Sequence, residues 1–425
     1  MSKKLQFLYA LLNKPTKTLV IVVLCGILIR LVLMPITYHD DLLSATLREA
    51  LYVFEGAYGL GNFSELLVSG YLKLTQSLFY ELPDSLSMLQ NINSISINEK
   101  GQAAFLASRT VFRYLFLLKI PFLIADIGVL ILLWKFFDDY KKRLTAVALW
   151  AVNPFVLYPV FVWGRHEIFP ILCIMAALYL IKKNSRFIWP MILLGVAIHF
   201  RSTFLLLLPF FALYCGKDWK GWLAYSVIPF ITFNILSAVF TCHSCSLQLT
   251  LGGGYSAKFT NYLFAGSIGN DFTSTGLFIV SYVLVFYFFL NEKFKKTLSF
   301  KKLVNYSLIG MFTFYAFSTF HPHYIAWLSP VFILSAVMNR KLIPFVFFLF
   351  GALILFADIY FGPYSALYLF LPFNSEFVAV IGGICNQLKF INWPKEYLVT
   401  ISHTFFVVVM LITTLIIFKD NESKD

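Results

Sequence analysis

The sequence predicts an all-α integral membrane protein, a polytopic bundle of transmembrane helices. Three observations predict it. Only 13% of the 425 residues are charged, about half the share a water-soluble domain needs to cover its surface. The chain is 59% hydrophobic, 19% aromatic, and has a mean hydropathy of +0.78; the aromatic content suits a lipid-facing surface with interfacial belts. Apolar runs of about 20 residues recur from Thr18 to Phe418, each long enough to cross a hydrocarbon layer of roughly 30 Å.

Taken in order, the runs give twelve spans: 18–36, 114–134, 144–163, 167–182, 187–200, 202–214, 221–240, 273–290, 303–319, 324–338, 342–360 and 398–418. Lys3, Lys4, Lys14 and Lys17 precede the first run with no small-residue cleavage site, so it reads as a retained helix. Threading from a cytoplasmic N-terminus puts segments 1–17, 135–143, 182–186, 215–220, 291–302, 339–341 and 419–425 inside. Those segments hold 22 of the 34 Lys and Arg in 59 residues, which is the sorting the positive-inside rule requires and places the C-terminus inside as well. The net charge of +13 is spread over these short clusters, a pattern of membrane anchoring that excludes a nucleic-acid surface. Spans 187–200 and 202–214 are short for crossings, and the chain is expected to dip or break at Arg201.

The long segments then lie outside: a first outer loop over 37–113, with amphipathic helical stretches such as Leu42–Phe54, then 241–272 and 361–397. No internal repeat or appended soluble domain is visible, so residues 1–425 read as a single membrane domain.

A few polar groups break the apolar pattern. Tyr38-His39-Asp40-Asp41 follows the first span; the carboxylates can serve as a general base or a metal ligand, or Asp41 can cap a helix. Lys119, Pro121 and Asp126 lie in one span, about two turns separating the charges on one face, as a structural ion pair or a functional one. Asn153-Pro154 leads to the corner Trp163-Gly164-Arg165-His166-Glu167, unusually charged for an interhelical turn. Gly195-Val-Ala-Ile-His199-Phe200-Arg201 ends the fifth span, where Arg201 needs a carboxylate or a phosphate. His321-Pro322-His323-Tyr324 closes the ninth, with groups suited to a metal or a phosphate oxygen. All these corners fall on the outer face. Cys242-His243-Ser244-Cys245 lacks a second zinc half-site and reads as a disulfide or two thiols. Gly252-Gly253-Gly254 lacks the Lys-Ser/Thr of a phosphate loop.

In this order the motifs resemble the GT-C superfamily of integral membrane glycosyltransferases, over about residues 20–330. The resemblance rests on the acidic Tyr38–Asp41 motif, Gly56-Ala57-Tyr58, Lys119/Pro121/Asp126, Asn153-Pro154, and Trp163-Gly164 with Glu167. Gly195–Arg201 with Pro209 is similar to a segment of the mannosyltransferases of GPI-anchor synthesis. Arg201 stands where that family usually has Lys, Glu167 where Asp is commoner, and His-Asp-Asp replaces Asp-x-Asp.

The resemblance implies inverting transfer of a sugar, mannose or another hexose, from a polyprenyl- or dolichyl-phosphate donor to a glycan or lipid acceptor on the non-cytoplasmic face. Asp40 or Asp41 would be the base. Arg201, His321, His323 and Arg165 would meet the donor phosphate. Glu167 and His166 would orient the acceptor or hold a magnesium or manganese ion, and Lys119 and Asp126 would pack helices or support the site. The membrane would be the plasma or inner membrane in a prokaryote and the endoplasmic reticulum in a eukaryote. The competing reading is a transporter or flippase of a lipid-linked sugar, which needs polar groups through the depth of the membrane.

Overall fold

The computed structural model describes residues 14–39, 42, 53, 63–79, 90–91, 94–97, 105–106, 108–184, 187–240, 267–268, 275–296, 298–318, 322–361, 372 and 395–422. Among them the chain is helical apart from two short antiparallel pairs, β1 (Gln90–Asn91) with β2 (Ser94–Ile97) and β3 (Ser267–Ile268) with β4 (Thr275–Gly276). The helices are α1 (Lys14–Ile36), α2 (Phe63–Leu74), α3 (Val111–Phe136), α4 (Tyr140–Ala151), α5 (Pro154–Val162), α6 (Ile168–Lys182) and α7 (Ile188–Phe200). Then come α8 (Ser202–Cys215), α9 (Trp219–Phe240), α10 (Leu277–Phe294), α11 (Phe300–Phe317), α12 (His323–Met338), α13 (Ile343–Phe361) and α14 (Lys395–Glu422).

Each of the twelve expected spans coincides with one of these helices, the third with the pair α4–α5. Fewer qualify as crossings on their own. Five helices (α1, α3, α9, α10 and α14) are long and apolar enough to cross a bilayer, and six if α4 and α5, bent by 43°, form one span. The others include α6, α7, α8 and α12, which are apolar but short. More than half of the apolar stretch of α3 is buried (56%), against 6% for α9. So α3 is central, packed by α1, α4 and α6, and α9 is peripheral. Ile21, Leu24, Leu28 and Val32 form an exposed stripe on α1 at helical spacing, the apolar face a bilayer would cover.

The basic segments meet at one end of the bundle. Lys182 donates to the Phe136 carbonyl, and its ammonium lies about 5 Å from the Phe136 and Phe137 rings. Lys183 pairs with Asp138, and Phe136 touches Phe300. Lys293 caps the Gly216 carbonyl at 2.7 Å, Lys302 binds Glu292 at 2.7 Å, and Lys301 pairs with Asp420. Among the described residues, 136–138, 182–183, 216, 292–293, 300–302 and 420 are thereby joined at one end of the bundle.

Within residues 37–113 the longest described helix is α2; the stretch Leu42–Phe54 lies outside the described residues except at Leu42 and Val53. α2 turns Ser64, Val68, Ser69 and Leu72 inward. Two bonds anchor it. Pro121 has no N–H to give the Leu117 carbonyl one turn back, and the Tyr71 hydroxyl donates to that carbonyl at 2.9 Å. The Phe63 N–H donates to His199 Nε2 at 3.3 Å.

Gly195 has a packing reason: a Cβ there would come within 2.8 Å of the Pro229 carbonyl and 2.6 Å of Thr232 Cβ, so α7 and α9 cross through it. Gly195→Ala is expected to cost about 1–3 kcal/mol, the range for an overpacked contact, and to lower the midpoint of thermal unfolding in detergent. Gly70→Ala, with nothing within 4 Å of the new Cβ, is the control and should leave the midpoint unchanged or slightly raised.

Candidate functional site

Three helix breaks place the polar corner. At the first, Asn153 caps α5 by accepting the Phe155 N–H at 3.1 Å, and Pro154 occupies the first helical position. Two donors that would have bonded the last carbonyls of α4 are thus lost, because Pro154 has none and that of Phe155 is taken. Arg30 of α1 supplies them: Nη2 donates to the Trp150 carbonyl at 3.2 Å, which also takes the Asn153 N–H, and Nη1 to the Ala151 carbonyl at 2.8 Å. Its remaining donors go to the Gly26 carbonyl (2.9 Å) and to Asp126 (2.6 and 3.3 Å). Asp126 also accepts the Trp150 indole N–H at 2.8 Å.

At the second break α5, wound as a π-helix over Leu157–Val162, ends at the Phe161 carbonyl, and Lys119 donates to it at 2.8 Å. Lys119 also reaches the Thr37 carbonyl (2.8 Å) and hydroxyl (3.0 Å). Lys119 and Asp126 therefore do not pair with each other. Both are fully buried and serve different helix ends. Lys119 joins carbonyls on two other segments, that of Thr37 and that of Phe161 (which also accepts the Thr37 hydroxyl at 3.0 Å), in place of the charge two turns away on its own helix.

Beyond the π-helix the chain turns sharply: the Trp163 N–H bonds the Tyr158 carbonyl (2.9 Å) and the Arg165 N–H the Pro159 carbonyl (3.0 Å). Gly164 has φ +74°, and a Cβ on it would lie 2.6 Å from Leu42 Cδ1, so the corner needs glycine twice over. His39 stacks flat on Trp163, centroids 3.9 Å apart at 7°. His39 and Leu42 thus both lie on the corner. Asp40 and Asp41 between them, and His321, lie outside the described residues.

The third break is at Arg201, where α7 ends in extended backbone (φ −148°, ψ 110°), as the sequence predicts. Its fork holds Glu167: Nη2 to Oε1 at 2.7 Å, and Nε to the two oxygens at 3.2 and 3.1 Å. The fully buried carboxylate also accepts the Trp327 indole N–H at 2.5 Å. Arg165 Nε lies 4.0 Å and His323 Nε2 3.9 Å from Oε1, and Arg165 Nη2 is 3.5 Å from His323 Nε2. Arg165, Glu167, Arg201 and His323 therefore converge from three distant segments. Burial alone would raise the Glu167 carboxyl, but the Arg201 charge and hydrogen bonds, helped by Arg165 and Trp327, hold it below its ordinary value.

His166 belongs to the core side of this corner, its ring facing those of Phe122 and Phe169 at centroid distances of 5.4 and 6.3 Å. Burial, then the charges of Arg165 and Arg201, push it down to about 3, so it is neutral at pH 7. Glu167 and His166 do not fit a divalent-cation site: the carboxylate is held by Arg201 and Trp327, and the imidazole packs on phenylalanines. Among the described residues no three His, Cys, Asp or Glu side chains gather.

The chain matches no family model, no curated protein and no solved structure.

Trp327, Arg30, Trp150 and Thr37 complete the arrangement and are not among the candidates read from the sequence. A signal for Trp327 exists: an indole N–H buried in an apolar bundle must find an acceptor, and it lies four residues beyond His323.

The His166 environment predicts a pH effect. Unfolded, His166 takes up its proton near 6.5; folded, only near 3. The unfolded state therefore binds more protons between those values, and the contribution is complete above pH 6.5 and drains as pH falls toward 3. The thermal midpoint in detergent should fall between pH 7 and 5 less steeply in His166→Asn than in the parent. Parallel slopes would show that His166 is not buried as described.

Proposed function

We propose that the protein is a membrane glycosyltransferase of GT-C type, nearest in motif pattern to the GPI-anchor mannosyltransferases. It moves a sugar, mannose or another hexose, from a polyprenyl- or dolichyl-phosphate to a glycan or lipid acceptor. The observation that carries this reading is the convergence of Arg165, Arg201 and His323 on Glu167 at the end of the bundle opposite the basic loops. Two guanidiniums and an imidazole gather there, and the side chains of Arg165 and Arg201 are partly open (19% and 26% exposed). A lipid phosphate, with its tail in the bilayer, presents the complementary anion at that depth.

In the proposed reaction the acceptor hydroxyl oxygen attacks the anomeric carbon as Asp40 or Asp41 takes its proton. The bond from that carbon to the phosphate oxygen breaks, and the lipid phosphate leaves with the electron pair, inverting the centre. The corner cations offset the charge that grows on the leaving phosphate. Arg201 has a second duty as the counter-ion of Glu167. Its removal would leave a buried carboxylate uncompensated, at a cost of about 3–5 kcal/mol, so Arg201→Ala weakens the fold as well as donor binding. Neither Glu167 nor His166 is assigned to a metal ion. In this reading all twelve helical segments belong to the membrane domain, the short ones as dipping or broken spans, with both termini cytoplasmic.

A transporter of a lipid-linked sugar is the alternative, and the use made of the deep charges weighs against it. Arg30, Lys119 and Asp126 are 0% exposed and committed to carbonyls or to one another, so they do not line a polar path. The test is the purified protein with a panel of polyprenyl-phosphate sugars, reading release of the lipid phosphate. Release is expected, and Asp40→Asn should lower it at least 100-fold while still inserting in the membrane. Full activity in that variant contradicts the mechanism; movement of the donor across proteoliposomes without release supports the transporter.

A further inference from the structure

Arg30 is not itself part of the corner, yet every donor it has is placed. One side of its guanidinium holds Asp126, and the other bonds the Ala151 and Trp150 carbonyls, whose α-helical donors the Asn153-Pro154 break removes, the Trp150 carbonyl also taking the Asn153 N–H. Its guanidinium also lies 5.2 Å from the centre of the Phe161 ring in α5, the helix whose end turns into the corner. Phe161 is in turn held by Lys119 through its carbonyl. The 43° bend between α4 and α5 is therefore spanned by one side chain that touches both.

We propose that Arg30, oriented by Asp126, is a positioning residue for the polar corner: by bonding the carbonyls at the bend it sets the direction in which α5 delivers Trp163, Arg165 and Glu167. This differs from an ion pair that only holds α1 to α3. Such a pair needs one positive charge near Asp126 and is satisfied by lysine. The positioning role needs five donors spread over a planar fork, which meet the Asp126 carboxylate and the Gly26, Trp150 and Ala151 carbonyls together; an ammonium offers three donors from a single atom.

The consequence for transfer rests on the glycosyltransferase reading; the consequence for the backbone does not. The experiment is hydrogen–deuterium exchange on the full chain in nanodiscs, comparing the parent, Arg30→Lys, and the charge-free double variant Arg30→Leu/Asp126→Leu. The double variant removes the pair together, so no lone charge is buried. Trp163 and Arg165, whose N–H groups bond the Tyr158 and Pro159 carbonyls, should exchange at least tenfold faster in both variants. Amides in the middle of α6 should stay within twofold. Where transfer is measurable, kcat should fall at least tenfold in Arg30→Lys with KM for the donor little changed. Corner exchange within twofold of the parent in Arg30→Lys overturns the proposal. Faster corner exchange in a protein that transfers no sugar in its parent form upholds the positioning role and refutes the glycosyltransferase reading.

Discussion

A helix that bends inside a bilayer frees carbonyls that lipid cannot satisfy, at a cost of several kcal/mol for each one left open. Most of this architecture follows from how those carbonyls are closed. Pro121 frees Leu117, and Tyr71 closes it. Pro154 frees the end of α4, and Arg30 closes it. The π-helix ends at Phe161, and Lys119 closes it. In each case the closing group comes from an element distant in sequence, so every break also ties two parts of the chain together. Buried charge is tolerated because it does this work: the guanidinium faces a carboxylate on one side and carbonyls on the other.

The polar corner depends on these closures. Without the bend at Asn153-Pro154, α4 would run straight on, and the turn at Gly164 would not lie against Leu42 and His39. With it, Glu167 meets Arg201 at the end of α7 and Trp327 in the first turns of α12. A carboxylate with several donors is held charged in an apolar bundle, with two partly open arginines beside it. That cluster is what the proposal of a lipid-phosphate donor rests on.

Much of this was legible from the residues. Apolar runs punctuated by lysine and arginine located the twelve long apolar segments, though not α2, because the need to bury apolar residues and to anchor their ends is written locally. The break at Arg201 was legible for the same reason, since an arginine between two apolar runs cannot continue them both. The partnerships were not. Arg30 and Asp126 are 96 residues apart, and no local spacing links them. Lys119 and Asp126 share a helix, which suggests a pairing that the freed carbonyls at Phe161 and Thr37 override. Trp327 reads as one more aromatic until its N–H is seen on Glu167. The number of crossings was harder still, because α6, α7, α8 and α12 are apolar but shorter than a bilayer demands.

The closure of the α4–α5 break by Arg30 is the claim on which the rest stands, and restoring the missing backbone donors tests it most directly. In an Asn153→Ala/Pro154→Ala background the N–H groups of residues 154 and 155 can return to the Trp150 and Ala151 carbonyls. The stability lost on Arg30→Leu, measured with Asp126→Leu in both backgrounds, should then shrink by about 2 kcal/mol, the worth of two such hydrogen bonds. An equal loss in the two backgrounds would contradict the account.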